Sequence, residues 1–354
     1  MVKRVTFAVP GDLATPTGGY AYDRRVILEL RALGWSVDVL DIGTGFPRPT
    51  DRIRAQAGAL LQAVPHGQPI VADGLAYGVL AEEAKILCRN HPIVALVHHP
   101  LALETGLSAT QAAALQASER AALACAKRVV TTSARTARLV REQFDVAADR
   151  ITVVEPGTDR VTVDRRTSAE CISLLAVGAV VPRKGYDVLL AALAQIRDRT
   201  WHLTVIGDRT RSPDTVRCLD DEVVKLNLAD RVKFIGAISC AELANFYASA
   251  DVFVLPSRFE GYGMAFAEAL AYGLPVVATN AGAIPDTVPA TAGILVAPDD
   301  AGALAQALRR LIESEHEREN LAAGARAAAR SLPSWRDSAT LFAHVLDGIV
   351  DEKQ

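Results

Sequence analysis

The sequence predicts an α/β protein built from two Rossmann-like domains, each a parallel sheet covered by helices, with a central cleft between them. Three observations predict this. Short β-branched runs alternate with longer helical patterns, and that alternation specifies a parallel sheet with helices on both faces. The alternation breaks once, over the polar stretch from Arg160 to Glu170, and then begins again. At 354 residues the chain is also too long for one ordinary core.

The first series opens with a strand over Arg4–Val9. A helix over Tyr20–Leu33 follows, with Val26, Ile27, Leu30 and Leu33 on one side, and Gly34 ends it. Strand Ser36–Leu40, strand Ile70–Ala72, helix Leu75–Cys88 and strand Ile93–Val97 come next. Helix Ala109–Ala126, strand Arg128–Thr132, helix Ala134–Phe144 and strand Ile151–Val154 complete the series. The second series starts with strand Cys171–Val177, helix Tyr186–Ile196, strand His202–Ile206 and a helix over Thr215–Leu226. Strand Val232–Ile235, helix Ala241–Ala248, strand Val252–Leu255, helix Met264–Tyr272 and strands Pro275–Ala278 and Gly293–Val296 follow. The tail from Ala301 reads as Ala-rich helix, interrupted at Pro333. In the last helix, Trp335–Ile349, the apolar residues Leu341, Phe342, Val345, Leu346 and Ile349 fall at helical spacing and need a partner. That helix is expected to return to the first domain. The expected domains are therefore 1–164 with 335–354, and 165–334.

Composition narrows the function classes. The net charge is −3 and the basic residues are dispersed, which argues against a nucleic-acid partner. The five cysteines form no C-x-x-C pair and read as reduced, mostly core residues. The chain opens on a strand pattern, and no apolar run approaches the ~20 residues needed to span a bilayer. The expectation is a cytoplasmic protein, with peripheral contact at the inner face of a membrane left open.

The sharpest motif is FEGYGMAFAEALAYG, Phe259–Gly273, directly after the apolar run ending at Pro256. Gly261 and Gly263 let the backbone approach a ligand, with Tyr262 and Met264 beside them. A helix starting near Gly263 would turn its free N–H groups toward a diphosphate. Glu260 stands before that turn and Glu268 after it, so the pair can grip hydroxyls on both sides of a diphosphate. In the N-terminal half, Gly18 and Gly19 (PTGGY) open the first helix and permit close approach of a phosphate or acceptor sugar. His98 closes the strand Ile93–Val97 and falls at the cleft edge, with His99 and Glu104 as lesser neighbours. Lys184, in a Gly-terminated loop after a strand, is placed to neutralise a departing phosphate.

The stretch ADVFVLPSRFEGYGMAFAEALAYGLPVVAT, Ala250–Thr279, resembles the E-x7-E signature of family 4 retaining glycosyltransferases, with Glu260 and Glu268 as the pair. AVGAVVPRKGYDVLLAAL, Ala176–Leu193, resembles that family's donor loop, and Lys233–Leu243 resembles the segment beside the nucleotide base. The resemblance implies a GT-B fold and a nucleotide-sugar donor, UDP- or GDP-linked. It also implies Lys184 on the phosphates, His98 on the donor sugar, and transfer with retention to a glycan, lipid or small-molecule acceptor. Glu260 and Glu268 are then donor ligands, not an acid and a nucleophile. Ala179 stands where the family usually carries arginine, which leaves Arg183 or Arg258 to supply that charge.

No D-x-D, H-E-x-x-H or clustered Cys/His pattern occurs, so no metal and no separate cofactor are expected. Other chemistries on the same architecture remain as rivals: a phosphorylase, a sugar-nucleotide epimerase, or a non-catalytic binding domain supported only by Ala179. A dinucleotide-dependent oxidoreductase lacks the glycine fingerprint.

Overall fold

A computed structural model describes residues 3–162 and 171–351. They divide into two compact units, residues 3–157 with 333–351, and 158–162 with 171–332. The expected boundary at 164/165, and most of the polar connection around it, lies outside the described residues.

The first unit holds β1 (Arg4–Val9), β2 (Ser36–Asp41), β3 (Ile70–Asp73), β4 (Ile93–Val97), β5 (Arg128–Thr131) and β6 (Ile151–Val153). All pair in parallel, in the order β2-β1-β3-β4-β5-β6. Strands β3 and β4 are buried along their whole length, because helices cover both faces of the sheet. The direction of chain progression reverses between β1 and β3.

The second unit holds β7 (Ile172–Val177), β8 (Trp201–Ile206), β9 (Val232–Gly236), β10 (Val252–Leu255), β11 (Val276–Thr279) and β12 (Gly293–Val296). Its order is β12-β11-β10-β7-β8-β9, again parallel throughout, and it reverses between β7 and β10. Open parallel sheets leave a crevice at such a reversal, outside the carboxyl ends of the strands. Each unit therefore has one place where its topology favours a ligand.

The last helix, Trp335–Asp351, packs within the first unit against the helix Gly18–Ala32. Phe342, Leu346 and Ile349 are fully buried, and the Phe342 ring lies 5.8 Å from that of Phe7 on β1. Leu341, grouped by its spacing with the apolar face, is instead 41% exposed at the edge of that face.

Three other expectations need correction. The helix expected over Leu75–Cys88 is two, Gly74–Tyr77 and Ala81–Leu87. A Cβ at Gly78 would come within 2.8 Å of Leu101 Cδ1, so close packing by the loop after β4 falls where the helix is interrupted. The sequence pattern did not predict the helix over Asp51–Gln62; Thr50 Oγ1 caps it by accepting the Ile53 N–H at 3.3 Å. The cysteines are not core: Cys88, Cys218 and Cys240 are exposed, and Cys125 and Cys171 are half-buried.

Candidate active site

The second unit's reversal brings together the loops after β7 and β10. The loop after β7 closes with a 3-10 turn, Pro182–Lys184, ended by Gly185 at φ +67°. A Cβ on Gly185 would stand 2.1 Å from the Pro256 carbonyl oxygen, so only glycine lets the two loops touch. That contact carries the charged groups into one nest. Lys184 Nζ donates to Glu260 Oε1 at 2.6 Å. Arg183 Nη1 donates to Glu260 Oε2 at 3.2 Å and to the Phe259 carbonyl at 2.7 Å. Ser257, fully buried, donates its hydroxyl to Glu260 Oε1 at 2.6 Å, and Thr279 Oγ1 in turn donates to the Ser257 carbonyl.

Glu260 is buried, and burial alone would push its carboxyl upward. The charges of Lys184 and Arg183, with the hydrogen bonds from Lys184 and Ser257, overcome this and hold it at about 2. One carboxylate thus faces two cations, and the nest keeps a net positive charge suited to an anionic ligand.

Beyond the nest, the helix Met264–Ala271 begins after Gly263, which sits at φ +92°. No side chain caps this helix, so its first N–H groups present a positive end to a ligand. Gly261 and Tyr262 are buried beneath the turn, and the Tyr262 carbonyl accepts from Thr287 Oγ1 at 3.2 Å. Met264 is the first helical residue and partly buried.

Glu268 lies further along the same helix, partly buried, and its Oε2 accepts the Tyr247 hydroxyl at 2.8 Å. Among the described residues no cation forms a salt bridge with it. Burial pushes its carboxyl up to about 7; the Tyr247 bond opposes the rise and the charge of Asp159 adds to it. Tyr247 is itself fixed by stacking, its ring centroid 5.2 Å from Tyr272 and 6.1 Å from Phe253. Arg258, which the sequence offered as a second phosphate cation, is engaged by Asp187 at 2.7 Å and Asp299 at 2.7 Å.

The first unit's reversal carries the other site residues. Gly18 and Gly19 are the first residues of the helix Gly18–Ala32, which Thr17 caps by accepting the Tyr20 N–H at 3.1 Å. Gly19 faces His98, where a Cβ would lie 3.2 Å from the ring. His98 follows β4, and its Nε2 lies 3.2 Å from Asp23 Oδ1 and 3.9 Å from Asp73 Oδ2. Burial works against charge on His98, but Asp23 and Asp73 outweigh it and raise its pKa. His99 Nε2 lies 4.0 Å from Glu104, which is exposed.

Sequence reasoning missed Asp23, Asp73, Ser257 and Tyr247. Asp23 carried a signal: it precedes Val26, Ile27 and Leu30 by three, four and seven positions and so shares their buried stripe. Asp73 ends an apolar strand at its carboxyl end, another readable position. Nothing in the spacing pointed to Tyr247.

The chain matches two family models, one described as glycosyl transferases group 1 over residues 172–314 and one as a glycosyl transferase 4-like domain over 69–157. The chain belongs to the group 1 glycosyltransferases. Among relatives of this glycosyltransferase, an MMP alpha-(1->4)-mannosyltransferase of Mycolicibacterium hassiacum is 28% identical over 86% of this chain and 77% of its own length. A D-inositol 3-phosphate glycosyltransferase of Geodermatophilus obscurus is 33% identical over 61% of this chain. The match spans only 51% of that relative's length. Among solved structures, a sucrose-phosphate synthase from Thermosynechococcus elongatus superposes with a TM-score of 0.85 at 23% identity, covering 99% of this chain and 100% of that one. Anabaena HepE, solved in complex with UDP-glucose, gives 0.79 at 20% identity, covering 98% and 99%. These likenesses establish the fold as GT-B. No helix among the described residues is long and apolar enough to cross a membrane.

Proposed function

We propose that this glycosyltransferase moves a hexosyl group from a UDP-sugar or GDP-mannose to an acceptor hydroxyl on a glycan, lipid or small molecule, with retention and without a metal ion. The observation that carries the reading is the nest at the second unit's reversal. A cationic cluster, an uncapped helix N-terminus and two carboxylates of opposite character lie where the loops after β7 and β10 meet and in the helix that follows. The relatives' names and the UDP-glucose complex of HepE support the donor class.

In this scheme Lys184 and Arg183 stabilise negative charge as the diphosphate leaves, which replaces the metal ion and the arginine absent at Ala179. Gly261, Tyr262, Gly263 and Met264 bring backbone N–H groups to the diphosphate. Glu260 holds sugar hydroxyls and Glu268 the ribose; His98 serves the transferred sugar. The bond from the anomeric carbon to the phosphate oxygen breaks as the acceptor oxygen bonds to that carbon on the same face. The leaving phosphate oxygen takes the acceptor's proton, so no protein base is required.

A thermal-shift screen against UDP, GDP, ADP and their sugars in EDTA tests the donor class, because a ligand of the native state raises the melting temperature. A shift with one nucleotide series, undiminished by chelator, is the expected result. No shift in any series, or one that requires added Mg2+ or Mn2+, would reject the scheme. The anomeric configuration of the first product, read by NMR, tests retention.

A further inference from the structure

Asp23, Asp73 and His98 converge from three separate elements of the first unit. Asp23 lies in the first helix, Asp73 ends β3 and His98 follows β4. One oxygen from each carboxyl and a His98 ring nitrogen all lie within 4.8 Å of one another. Asp23 and Asp73 are almost fully buried, at 0% and 4% exposure, whereas the His98 side chain is 20% exposed. The two carboxyls lie together in this buried cluster, and burial and the charge of Asp23 raise the Asp73 carboxyl. Asp73 is further fixed because its Oδ1 accepts the Leu75 N–H at 2.7 Å and caps the short helix Gly74–Tyr77. Asp23 Oδ1 is directed at His98 Nε2, 3.2 Å away.

The rest of the imidazole is held as firmly. The Tyr22 ring meets it edge-on at 5.2 Å, and Tyr22 is anchored through its hydroxyl to the Val154 carbonyl at 3.0 Å. Gly19 lies against the Cδ2 edge, and Thr132 Oγ1 donates to the His98 carbonyl at 3.4 Å. Nε2 is turned inward to the acids, so the opposite edge, with Nδ1, is the one left to meet a ligand.

We propose that Asp23, steadied by Asp73, is a positioning residue of this glycosyltransferase: it fixes His98 with Nε2–H inward, so that the imidazole presents Nδ1 to the reacting sugar or its acceptor. The functional half of this statement rests on the assignment of His98 to the transfer; the structural half does not. Asp23→Asn keeps the shape but removes the negative charge.

The test is two-dimensional 1H–15N NMR of the histidine side chains in the full chain, with His98→Gln used to assign its resonances. The wild-type ring should hold its proton on Nε2 and titrate above the ordinary histidine range, near 6.5. In Asp23→Asn the titration should fall by about one unit or more, as expected when a neighbouring carboxylate is lost. With a donor and acceptor in hand, Asp23→Asn should lower kcat about tenfold or more and move the acid limb of the pH–rate profile, with Asp23→Glu recovering part of it. If Asp23→Asn does not fold, Asp73→Asn is measured the same way and should also lower the His98 titration, since it removes the carboxylate 3.9 Å from Nε2 that helps to raise it. An unchanged His98 tautomer and titration would overturn the proposal, even in a fully active enzyme. Zn2+ or Mn2+ shifting or broadening the His98 signals at stoichiometric concentration would also overturn it, by making the triad a metal site. Intact NMR behaviour with no glycosyl transfer to any acceptor would leave the positioning in place and defeat the transfer reading instead.

Discussion

The two sheets of this molecule reverse at equivalent places and have been given opposite electrostatics there. In the second unit one carboxylate, Glu260, is clamped by two cations and held ionised at about 2. In the first unit two carboxyls face one histidine, and burial with the mutual repulsion of Asp23 and Asp73 pushes Asp73 up to about 7. The topology that creates a crevice at a strand reversal is common to both. What differs is the ratio of charges placed in it. An excess of cation suits a diphosphate, and a buried pair of acids suits the orientation of a polar side chain. The fold supplies the location and the side chains supply the chemistry.

Substitutions at the two reversals should differ in the size of their effects. The largest is expected at Glu260. Glu260→Gln removes the buried carboxylate that Lys184 and Arg183 both contact and should cost about 3–5 kcal/mol in denaturant unfolding. Because the folded pKa of about 2 lies below the ordinary 4.5, the wild-type carboxylate stabilises fully above about pH 4.5 and loses that contribution as pH falls toward 2. The variant should lack this acid limb; a variant that keeps it would show that the clamp is not where the charge resides. Next, Lys184→Ala should reduce kcat by roughly 100-fold or more while changing donor affinity less, because charge on the leaving diphosphate grows in the transition state. Arg183→Ala should cost a comparable factor in the same assay, and normal turnover would break its assignment as the substitute for the arginine missing at Ala179.

A smaller effect, of opposite sign on stability, is expected at Glu268. Its folded pKa of about 7 lies above the ordinary 4.5, so ionising it costs the free protein stability as pH rises between these values, up to about 3 kcal/mol. Glu268→Gln should therefore be more stable than wild type at pH 8 and nearly equal at pH 4, measured by thermal melting. Equal melting temperatures at both pH values would mean that the Tyr247 bond and solvent already relieve the buried charge.

Much of this was legible in the sequence because the signals are local. The β-branched runs of β1, β4 and β10 read directly as strands, since helices on both faces of the sheet bury them and remove the polar alternation that would blur them. The turn at Gly261–Gly263 announced a close backbone approach, and the E-x7-E spacing set Glu260 and Glu268 on either side of it. Less visible was whatever depends on pairing across elements. Spacing showed neither that Arg183 and Lys184 meet the same carboxylate nor that Tyr247 reaches Glu268, because those partners are 77, 76 and 21 residues apart. The break at Gly78 was hidden for the same reason, since Leu101 from another loop fills the space. Asp23 was overlooked although its position on a buried helical stripe was readable, because an acid in a helix is more often on the surface.

If the second unit's reversal binds the donor diphosphate, Glu268 lies beyond it on the nucleotide side. Isothermal titration calorimetry of UDP and of GDP, in EDTA, into the wild-type protein and Glu268→Ala reads this without any acceptor. At least one nucleoside diphosphate should bind the wild type without metal, and Glu268→Ala should bind it roughly 10- to 100-fold more weakly, the equivalent of losing a hydrogen bond to a charged group. Binding of neither nucleotide, or equal affinity in wild type and variant, would contradict the assignment of this reversal as the donor site.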